Sequence, residues 1–324
     1  MSSRPEELDY VLKNCKPQES IVLPISRGGN TLDVNSTLDL FKDYPMIGLV
    51  SQGPMLDYLK KRYVPIIDVP DLSGRFAASI CSVGLVPALL GGINIQDFLN
   101  YLNESYKIFK NYNSKENISI EYATFLFLLY NNGFVNILNM PYSSTLEGLV
   151  GLFVQELSES SGKEGKGLLG TAQSAPLCQH SVLELLLGGK KGHTSPFLWC
   201  LEKDFTKISI NSPFFGLNNL TANEIINYQA DATFEALIRQ GVPSAKLLIK
   251  SIDLESLAQS IGFIQSTIYY FCLLLNVNWE DNPLVAIGKQ ICNEALKYKK
   301  NKIERFNDRK NIQKGKFNFI NFIF

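Results

Sequence analysis

Short apolar runs alternate with amphipathic stretches in the first part of the chain. The apolar runs predict strands at 20–25, 46–51 and 64–69, and the amphipathic stretches predict helices at 32–42 and 55–61. A strand, a helix and a second strand in this order form the usual unit of a parallel sheet. The pattern therefore predicts an α/β lobe with a mainly parallel sheet.

The same alternation returns in the second half of the chain, after a helical middle. Strands are predicted at 135–139, 197–201, 207–210 and 245–252, and helices at 120–130, 146–160 and 257–277. Between the two halves, residues 103–117 are rich in Lys, Asn, Ser and Tyr, which is typical of a boundary. We therefore predict a first lobe at 1–112, a second lobe at 113–300 and a separate tail at 301–324.

Composition and charge narrow the class of protein. With 324 residues, 45% hydrophobic and 19% charged, the chain is neither a disordered protein nor a small disulfide scaffold, and its length favours two packed units. Basic and acidic residues balance, but residues 297–316 hold nine basic and two acidic residues, so the rest is mildly acidic. A reader of duplex DNA needs a basic face. We therefore expect no nucleic-acid partner.

Cysteine usage and the longest apolar stretches bear on the compartment. The six cysteines show no C-x-x-C pairing and no signal peptide precedes them, which favours a reducing, cytoplasmic location. The apolar stretches at 76–95 and 261–277 are interrupted by Ser, Gly, Pro or Gln, and the second is short for a bilayer span. We predict that both are buried helices and that the protein has no membrane partner.

The first candidate for chemistry is the loop at 26–31 (SRGGNT), between a predicted strand and a predicted helix. Its two glycines allow a tight turn with inward N–H groups, and Ser26, Arg27 and Thr31 add side-chain donors. With the N-terminus of the following helix, these groups suit a phosphomonoester. The spacing matches neither a Walker loop nor a dinucleotide-binding loop. On pattern alone, an ordinary left-handed glycine turn is the commoner explanation.

Two further candidates are Arg75 and Glu159. Arg75 follows a predicted strand and a glycine, at the sheet edge where ligands of open α/β sheets bind. A surface arginine paired with Asp71 fits the same spacing equally well. Glu159 lies where a predicted helix gives way to a Ser- and Gly-rich turn, from which a carboxylate can reach a pocket. On pattern alone, a solvated glutamate is the commoner case.

The last two candidates are His180 and Lys289. His180 is one of only two histidines, and these two with scattered cysteines make a catalytic zinc site unexpected. The nearby Cys178 does not indicate a Cys/His hydrolase, because residues i and i+2 do not face each other on a helix. Lys289 follows Pro283 by less than two helical turns, which lets it face the start of its helix. A structural histidine and a solvated lysine remain the commoner cases.

Taken in order, these five segments resemble motifs of the glucose-6-phosphate isomerase family, over about residues 20–297. The loop SRGGNT resembles the family's S-K-[ST]-x-T-T and is nearer the S-G-N-T form of the archaeal bifunctional glucose/mannose-6-phosphate isomerases. The other family motifs are G-G-R-[FY]-S with S-x-[IV]-G-L, L-x-x-E-S-x-G-K, D-Q-H-S and Q-P-x-V-E-x-x-K. The matching segments here are SGRF at 73–76 with SVGL at 82–85, LSESSGK at 157–163, QHS at 179–181, and NPLV at 282–285 with Lys289.

The resemblance implies two sugar-isomerase (SIS) type α/β sandwiches with mainly parallel sheets, joined in a homodimer. It implies an aldose–ketose isomerase that interconverts glucose 6-phosphate and fructose 6-phosphate through a cis-enediolate, without a metal or an organic cofactor. Glu159 would be the base, and Arg75 would stabilise the negative oxygen. His180, reaching the partner's site, and Lys289 would open the sugar ring. The phosphate would be held by Ser26, Arg27, Gly28 and Thr31.

The chain also departs from the family pattern. No glycine precedes Gly28, so the family's opening strand and its G-x-G-G-S loop have no counterpart, and the first lobe is expected to be truncated. Several motif positions carry other residues: Ser73, Ser158, Cys178, Asn282 and Ala286.

Three alternatives follow from these departures. The chain is an active isomerase, with or without activity on mannose 6-phosphate; it is a sugar-phosphate-binding protein with lost or weak catalysis; or its sequence starts short of the family's opening segment. All four residues with an implied catalytic role are present, which favours the active isomerase.

Overall fold

The chain folds into helices and parallel strands. The computed structural model describes residues 3–70, 79–113, 115–203, 206–214 and 216–297. The helices are α1 (Pro5–Asn14), α2 (Leu32–Asn35), α3 (Pro54–Lys61), α4 (Ser82–Leu90), α5 (Ile95–Lys110), α6 (Ile118–Asn131), α7 (Glu147–Ser161), α8 (Gln179–Gly188), α9 (Ala222–Arg239), α10 (Leu254–Leu275) and α11 (Val285–Lys297). The strands are β1 (Gly48–Leu49), β2 (Ile66–Ile67), β3 (Asn136–Pro141), β4 (Leu169–Ala172), β5 (Thr194–Leu201) and β6 (Ala245–Ile249).

These strands form two sheets, and every pair among them is parallel, which confirms the predicted α/β class. The first sheet pairs β1 with β2, and single parallel bridges at Val22 and Ile25 add the segment that precedes them. The second sheet has the strand order β4-β3-β5-β6. Because parallel strands all point the same way, the loops that follow them lie together at one edge of each sheet.

β5 organises the core of the second sheet. Seven of its eight residues are buried, the pattern of a central strand covered on both faces. Alternate side chains point to opposite faces. Phe197 and Trp199 pack with α6, α7 and α10 on one face, and Leu198 and Cys200 pack with α8 and α9 on the other.

α10 is the central helix of this core. Among the described helices, only α10 is long and apolar enough to cross a bilayer by length and composition, and 56% of its apolar window is buried inside the fold. The prediction of a buried helix at 261–277 is therefore confirmed. The same prediction for 76–95 is wrong where the chain is described, because α4 has no buried residue. Leu85 of α4 packs against the cluster of Phe98, Leu102 and Ala258, but the helix is covered only in part.

Two other predicted elements differ from the structure. The helix expected at 32–42 is split into α2 and a 3₁₀ turn at Leu38–Phe41. The Thr37 hydroxyl donates to the carbonyls of Asp33 and Val34, each at 3.0 Å, and such bonds compete with a helix's own hydrogen bonds. The strand expected at 207–210 is reduced to a single antiparallel bridge, since Lys207 has a φ of 45°, which interrupts extended backbone.

The chain divides into two compact units, Met1–Glu280 and Asp281–Phe324. Both sheets lie in the first unit, and α11 lies in the second. The six cysteines are all free, and four of them are buried. The division into lobes at 1–112 and 113–300 with a tail at 301–324 stays a prediction.

A buried hydrogen bond inside the second sheet offers a test of the fold. The Trp199 indole N–H donates to the Asn139 side-chain oxygen at 2.9 Å, and both residues are 0% exposed. We expect Asn139→Leu to lower the free energy of unfolding by about 2–4 kcal/mol, because the indole N–H loses its acceptor in the core. Urea unfolding measures this. Trp199→Phe combined with Asn139→Leu should cost less than the sum of the two single changes, and strict additivity would contradict the coupling.

Candidate functional site

The loop at 26–31 lies at the edge of the first sheet where its strands end. The Ser26 N–H donates to the Leu49 carbonyl at 3.0 Å, which fixes the loop beside the end of β1. The Ser26 side chain is only 6% exposed, and its hydroxyl lies 2.8 Å from that of Thr31. The two hydroxyls that the sequence assigned to phosphate binding are therefore together.

A close backbone contact sets the shape of this loop. Gly29 has a φ of 64°, and a Cβ there would lie 2.1 Å from the Gln52 carbonyl oxygen. On the other side, a Cβ on Gly53 would lie 2.4 Å from the Gly28 carbonyl oxygen. Hydrogen bonds from the Ser51 N–H to the Arg27 carbonyl and from the Met55 N–H to the Gly29 carbonyl join the same two loops. The loop is thus a built structure and more than a flexible turn.

The loop carries backbone and side-chain groups that can donate hydrogen bonds. Among the described residues, no backbone hydrogen bond uses the N–H groups of Gly28 and Asn30. The Arg27 side chain is exposed at the same loop. The following helix, α2, has only four residues instead of the predicted eleven, so its dipole is small.

Arg75 lies outside the described residues, in the gap at 71–78, so only the residues on either side can be placed. Before the gap, the Ser51 hydroxyl donates to the Val69 carbonyl at 2.5 Å and accepts from the Val69 N–H at 2.9 Å. Ser51 belongs to the loop that contacts 26–31. The chain therefore enters the gap beside the candidate phosphate loop.

Glu159 lies in the last turn of α7 and is partly exposed. The serines beside it tie the helix to β4 and to the turn before β4. The Ser158 hydroxyl accepts from the Gly170 N–H at 2.9 Å, and the Ser161 hydroxyl accepts from the Leu168 N–H at 3.2 Å. Ser158, which departs from the family pattern, thus takes part in fixing the end of the helix.

A buried polar cluster lies one helical turn before Glu159, and sequence reasoning missed it. The Gln265 side-chain amide, on α10, donates to Glu156 at 3.5 Å and to Ser79 at 3.3 Å, and its oxygen accepts from the Tyr106 hydroxyl. Glu156 is 0% exposed. Burial, with a smaller contribution from Glu156, raises the pKa of Tyr106 to about 12. The one sequence feature that could have indicated this cluster is Glu156 itself, a charged residue between the apolar Phe153 and Leu157 on the predicted helix.

Ser79 in this cluster is the first described residue after the gap that contains Arg75. The chain therefore enters the gap beside the candidate phosphate loop and leaves it beside α10, at the Gln265 amide that also donates to Glu156 of α7. In the sequence, Arg75 lies in the eight residues that connect these two places.

His180 is exposed in the first turn of α8. Its neighbour Gln179 donates to the hydroxyls of Tyr142 and Thr233, each at 2.7 Å, so the start of α8 is fixed while the imidazole faces solvent. Cys178 is 0% exposed, and burial raises the pKa of its thiol. A buried thiol with a raised pKa is a poor nucleophile, in agreement with the sequence argument against thiol catalysis.

Within one chain, His180 and Glu159 are not brought together. The Ser174 hydroxyl, in the loop that leads to α8, donates to Glu147 at 2.6 Å, at the start of α7. Glu159 is at the other end of α7, about 18 Å along the helix axis.

Lys289 is an exposed residue of α11, in the second compact unit. Among the described residues, no three His, Cys, Asp or Glu side chains form a metal-binding group.

Comparison with solved structures identifies the fold. A hypothetical protein from Thermus thermophilus superposes with a TM-score of 0.81 at 22% identity, covering 91% of this chain and 75% of that chain. A glucose-6-phosphate isomerase from Chlamydia trachomatis gives a TM-score of 0.75 at 17% identity, covering 94% and 65%. The chain thus has the parallel α/β fold of the sugar-isomerase type, as expected. No protein-family model matches it.

Curated proteins then give the particular family that the chain resembles. The glucose-6-phosphate isomerase of Methanocaldococcus jannaschii is 26% identical over 311 residues, which cover 91% of this chain and 76% of that protein. That of Campylobacter jejuni is 28% identical over 320 residues, covering 88% and 74%. The resemblance to the glucose-6-phosphate isomerase family is therefore confirmed over most of the chain.

Two glycines in the loop at 26–31 provide a matched pair of variants. We expect Gly29→Ala to lower the free energy of unfolding by about 1–3 kcal/mol, since its positive φ and the Gln52 carbonyl both exclude a side chain. Gly28→Ala should change it by less than about 1 kcal/mol, because nothing lies within 4 Å of the added Cβ. Urea unfolding of both variants measures the difference. Equal effects would contradict the described contact between the loops.

Proposed function

We propose that the protein is an aldose–ketose isomerase that interconverts glucose 6-phosphate and fructose 6-phosphate, acting in the cytoplasm. The observation that carries the proposal is the match to curated glucose-6-phosphate isomerases over about nine tenths of the chain. The candidate phosphate loop and the carboxylate at the end of α7 both lie within the matched fold. The phosphosugar is therefore the substrate class that best fits the site.

In the proposed reaction, Glu159 moves a proton between C1 and C2 of the open-chain sugar. Removal of a proton next to a carbonyl needs a carboxylate close to the carbon and a cation close to the oxygen that becomes negative. Arg75 supplies that cation and stabilises the cis-enediolate. The described residues on either side support this pairing, because Val69 bonds Ser51 beside the phosphate loop and Ser79 bonds the Gln265 amide that also donates to Glu156 of α7.

The loop at 26–31 holds the phosphate group in this proposal. The hydroxyls of Ser26 and Thr31, the backbone of Gly28 and the Arg27 guanidinium are the donors, and the close contact with Gln52 and Gly53 supports their arrangement. Binding energy from the phosphate positions a flexible open-chain sugar at the reacting carbons. The loop therefore contributes to catalysis without touching the bonds that change.

His180 and Lys289 open the sugar ring, with His180 supplied by the partner in a homodimer. The position of Glu159 supports this arrangement, since the loop that leads to α8 and His180 bonds the start of α7, whereas Glu159 lies in the last turn of α7. Exposure of His180 at the start of α8 also supports it.

The role of Glu159 can be tested directly. We expect Glu159→Gln to lower kcat for isomerisation by about 10²–10⁴-fold, because the amide cannot accept the proton, while binding of the sugar phosphate is kept. A coupled glucose-6-phosphate dehydrogenase assay supplied with fructose 6-phosphate measures turnover, and calorimetry measures binding. Glu235→Gln, exposed on α9, is the control and should behave as wild type.

Two outcomes would contradict this proposal. Turnover like that of wild type in the Glu159→Gln variant would exclude Glu159 as the base. Binding of the sugar phosphate by the wild-type chain without any isomerisation would favour the alternative of a binding protein with lost catalysis.

The shared site can be tested by mixing inactive variants. Glu159→Gln and His180→Ala should each have low activity alone. When the two proteins are dissociated and reassociated together, mixed dimers regain one complete site, and random pairing leaves about a quarter of all sites intact. Recovered activity after mixing is the expected result. If both variants stay inactive while a mixed dimer is detected, His180 does not act in the partner's site.

A further inference from the structure

We propose that Lys163 and Gln265 are positioning residues for the proposed base, and that they hold α7 against α10 on either side of Glu159. The inference rests on the proposed function, because it concerns the placement of that base. Each is placed to act through the helix on which Glu159 is carried.

After Glu159, two lysines join the turn that follows α7 to the C-terminal end of α10. The Lys163 ammonium donates to the Ser160 carbonyl at 2.9 Å and to the Asn278 carbonyl beyond the end of α10. The Lys166 ammonium donates to the carbonyls of Leu275 and Asn276 at 3.1 and 3.4 Å. The last carbonyls of a helix lack partners within the helix and carry partial negative charge. Two ammonium groups are therefore well matched to this end of α10.

Before Glu159, Gln265 makes the second attachment. It lies midway along α10, is 4% exposed, and donates to Glu156, one turn before Glu159 on α7. The Tyr106 hydroxyl donates to the other end of the same amide and so sets its orientation. A buried amide with partners at both ends accepts few other arrangements, because any displacement leaves polar groups unpaired in the core.

The two attachments matter because Glu159 is in the last turn of its helix, where helices fray. A proton can be moved between carbons only if the carboxylate stays within about 3 Å of them. A displacement of about 1 Å can lower a rate by about 100-fold. The bonds of Ser158 and Ser161 hold this turn to β4 and to the residue before it, and the contacts of Lys163 and Gln265 hold it to α10, so that displacement is limited in both directions.

The experiment compares Lys163→Met and Gln265→Met, which remove the donors and leave an unbranched side chain of the same length at 265 and one atom shorter at 163. Each should lower kcat by about 10–100-fold, with less than about threefold change in KM for fructose 6-phosphate, since the phosphate loop is untouched. Hydrogen exchange should become faster at the amides of residues 159–166. Lys163→Arg should recover part of the kcat lost in Lys163→Met, which a purely structural packing role would not predict.

Matched controls separate positioning from general destabilisation. Thr267 lies two residues after Gln265 on α10, and its buried hydroxyl has no hydrogen-bond partner among the described residues. The Thr267→Val variant removes that hydroxyl. Lys107→Met removes an exposed lysine whose side chain is 63% exposed. Both should leave kcat and the exchange at 159–166 unchanged.

The outcomes distinguish this inference from the proposed function. Unchanged exchange at 159–166 in Lys163→Met and Gln265→Met, or unchanged kcat in an active enzyme, would overturn the positioning role. Faster exchange at 159–166 in a chain whose wild type does not isomerise would support the attachment of α7 to α10 and overturn the proposed function.

Discussion

The close approach of α7 to β4 is the constraint on which the candidate site depends. A Cβ on Gly170 would lie 2.8 Å from the Val154 Cα, so only glycine permits the helix to lie this close to the strand. The Ser158 hydroxyl then accepts from the Gly170 N–H and donates to the Val154 carbonyl, which converts the contact into a hydrogen-bonded one. Glu159 is the next residue. The last turn of α7 cannot shift along β4 without breaking the bond between Ser158 and Gly170.

The topology explains why one chain does not contain the whole proposed site. A helix that follows a parallel strand runs back along the sheet, so α7 ends at the edge where the strands begin, and α8 starts at the opposite edge. Glu159 lies at the end of α7 and His180 at the start of α8. No change of side chain brings them together. In the proposed homodimer, a second copy of the chain supplies the imidazole.

Particular residues show how far the fold and site can be predicted from sequence. The predicted strand at 197–201 appears within β5, because a buried central strand is apolar at every position whatever its neighbours. The helix predicted at 32–42 is interrupted, and the hydrophobic pattern does not show the break, because the break depends on the hydrogen bond from the Thr37 hydroxyl to the Asp33 carbonyl. Glu159 was found by its motif, but Gln265 lies 106 residues further on, and no local pattern links it to Glu156. Long-range polar contacts leave no periodic signal.

The buried Glu156 has a cost that needs a physical reason. A leucine at this position would pack between α7 and α10 without any requirement for hydrogen bonds, and buried polar groups are often less stabilising than apolar ones. Apolar side chains, however, accept several registers of one helix on another. The hydrogen bond between Gln265 and Glu156 forms in only one register of α7 on α10. The same amide also donates to Ser79, the first described residue after the gap at 71–78. We interpret the cluster as trading stability for a single alignment of three segments, two of which lead directly to residues of the proposed reaction.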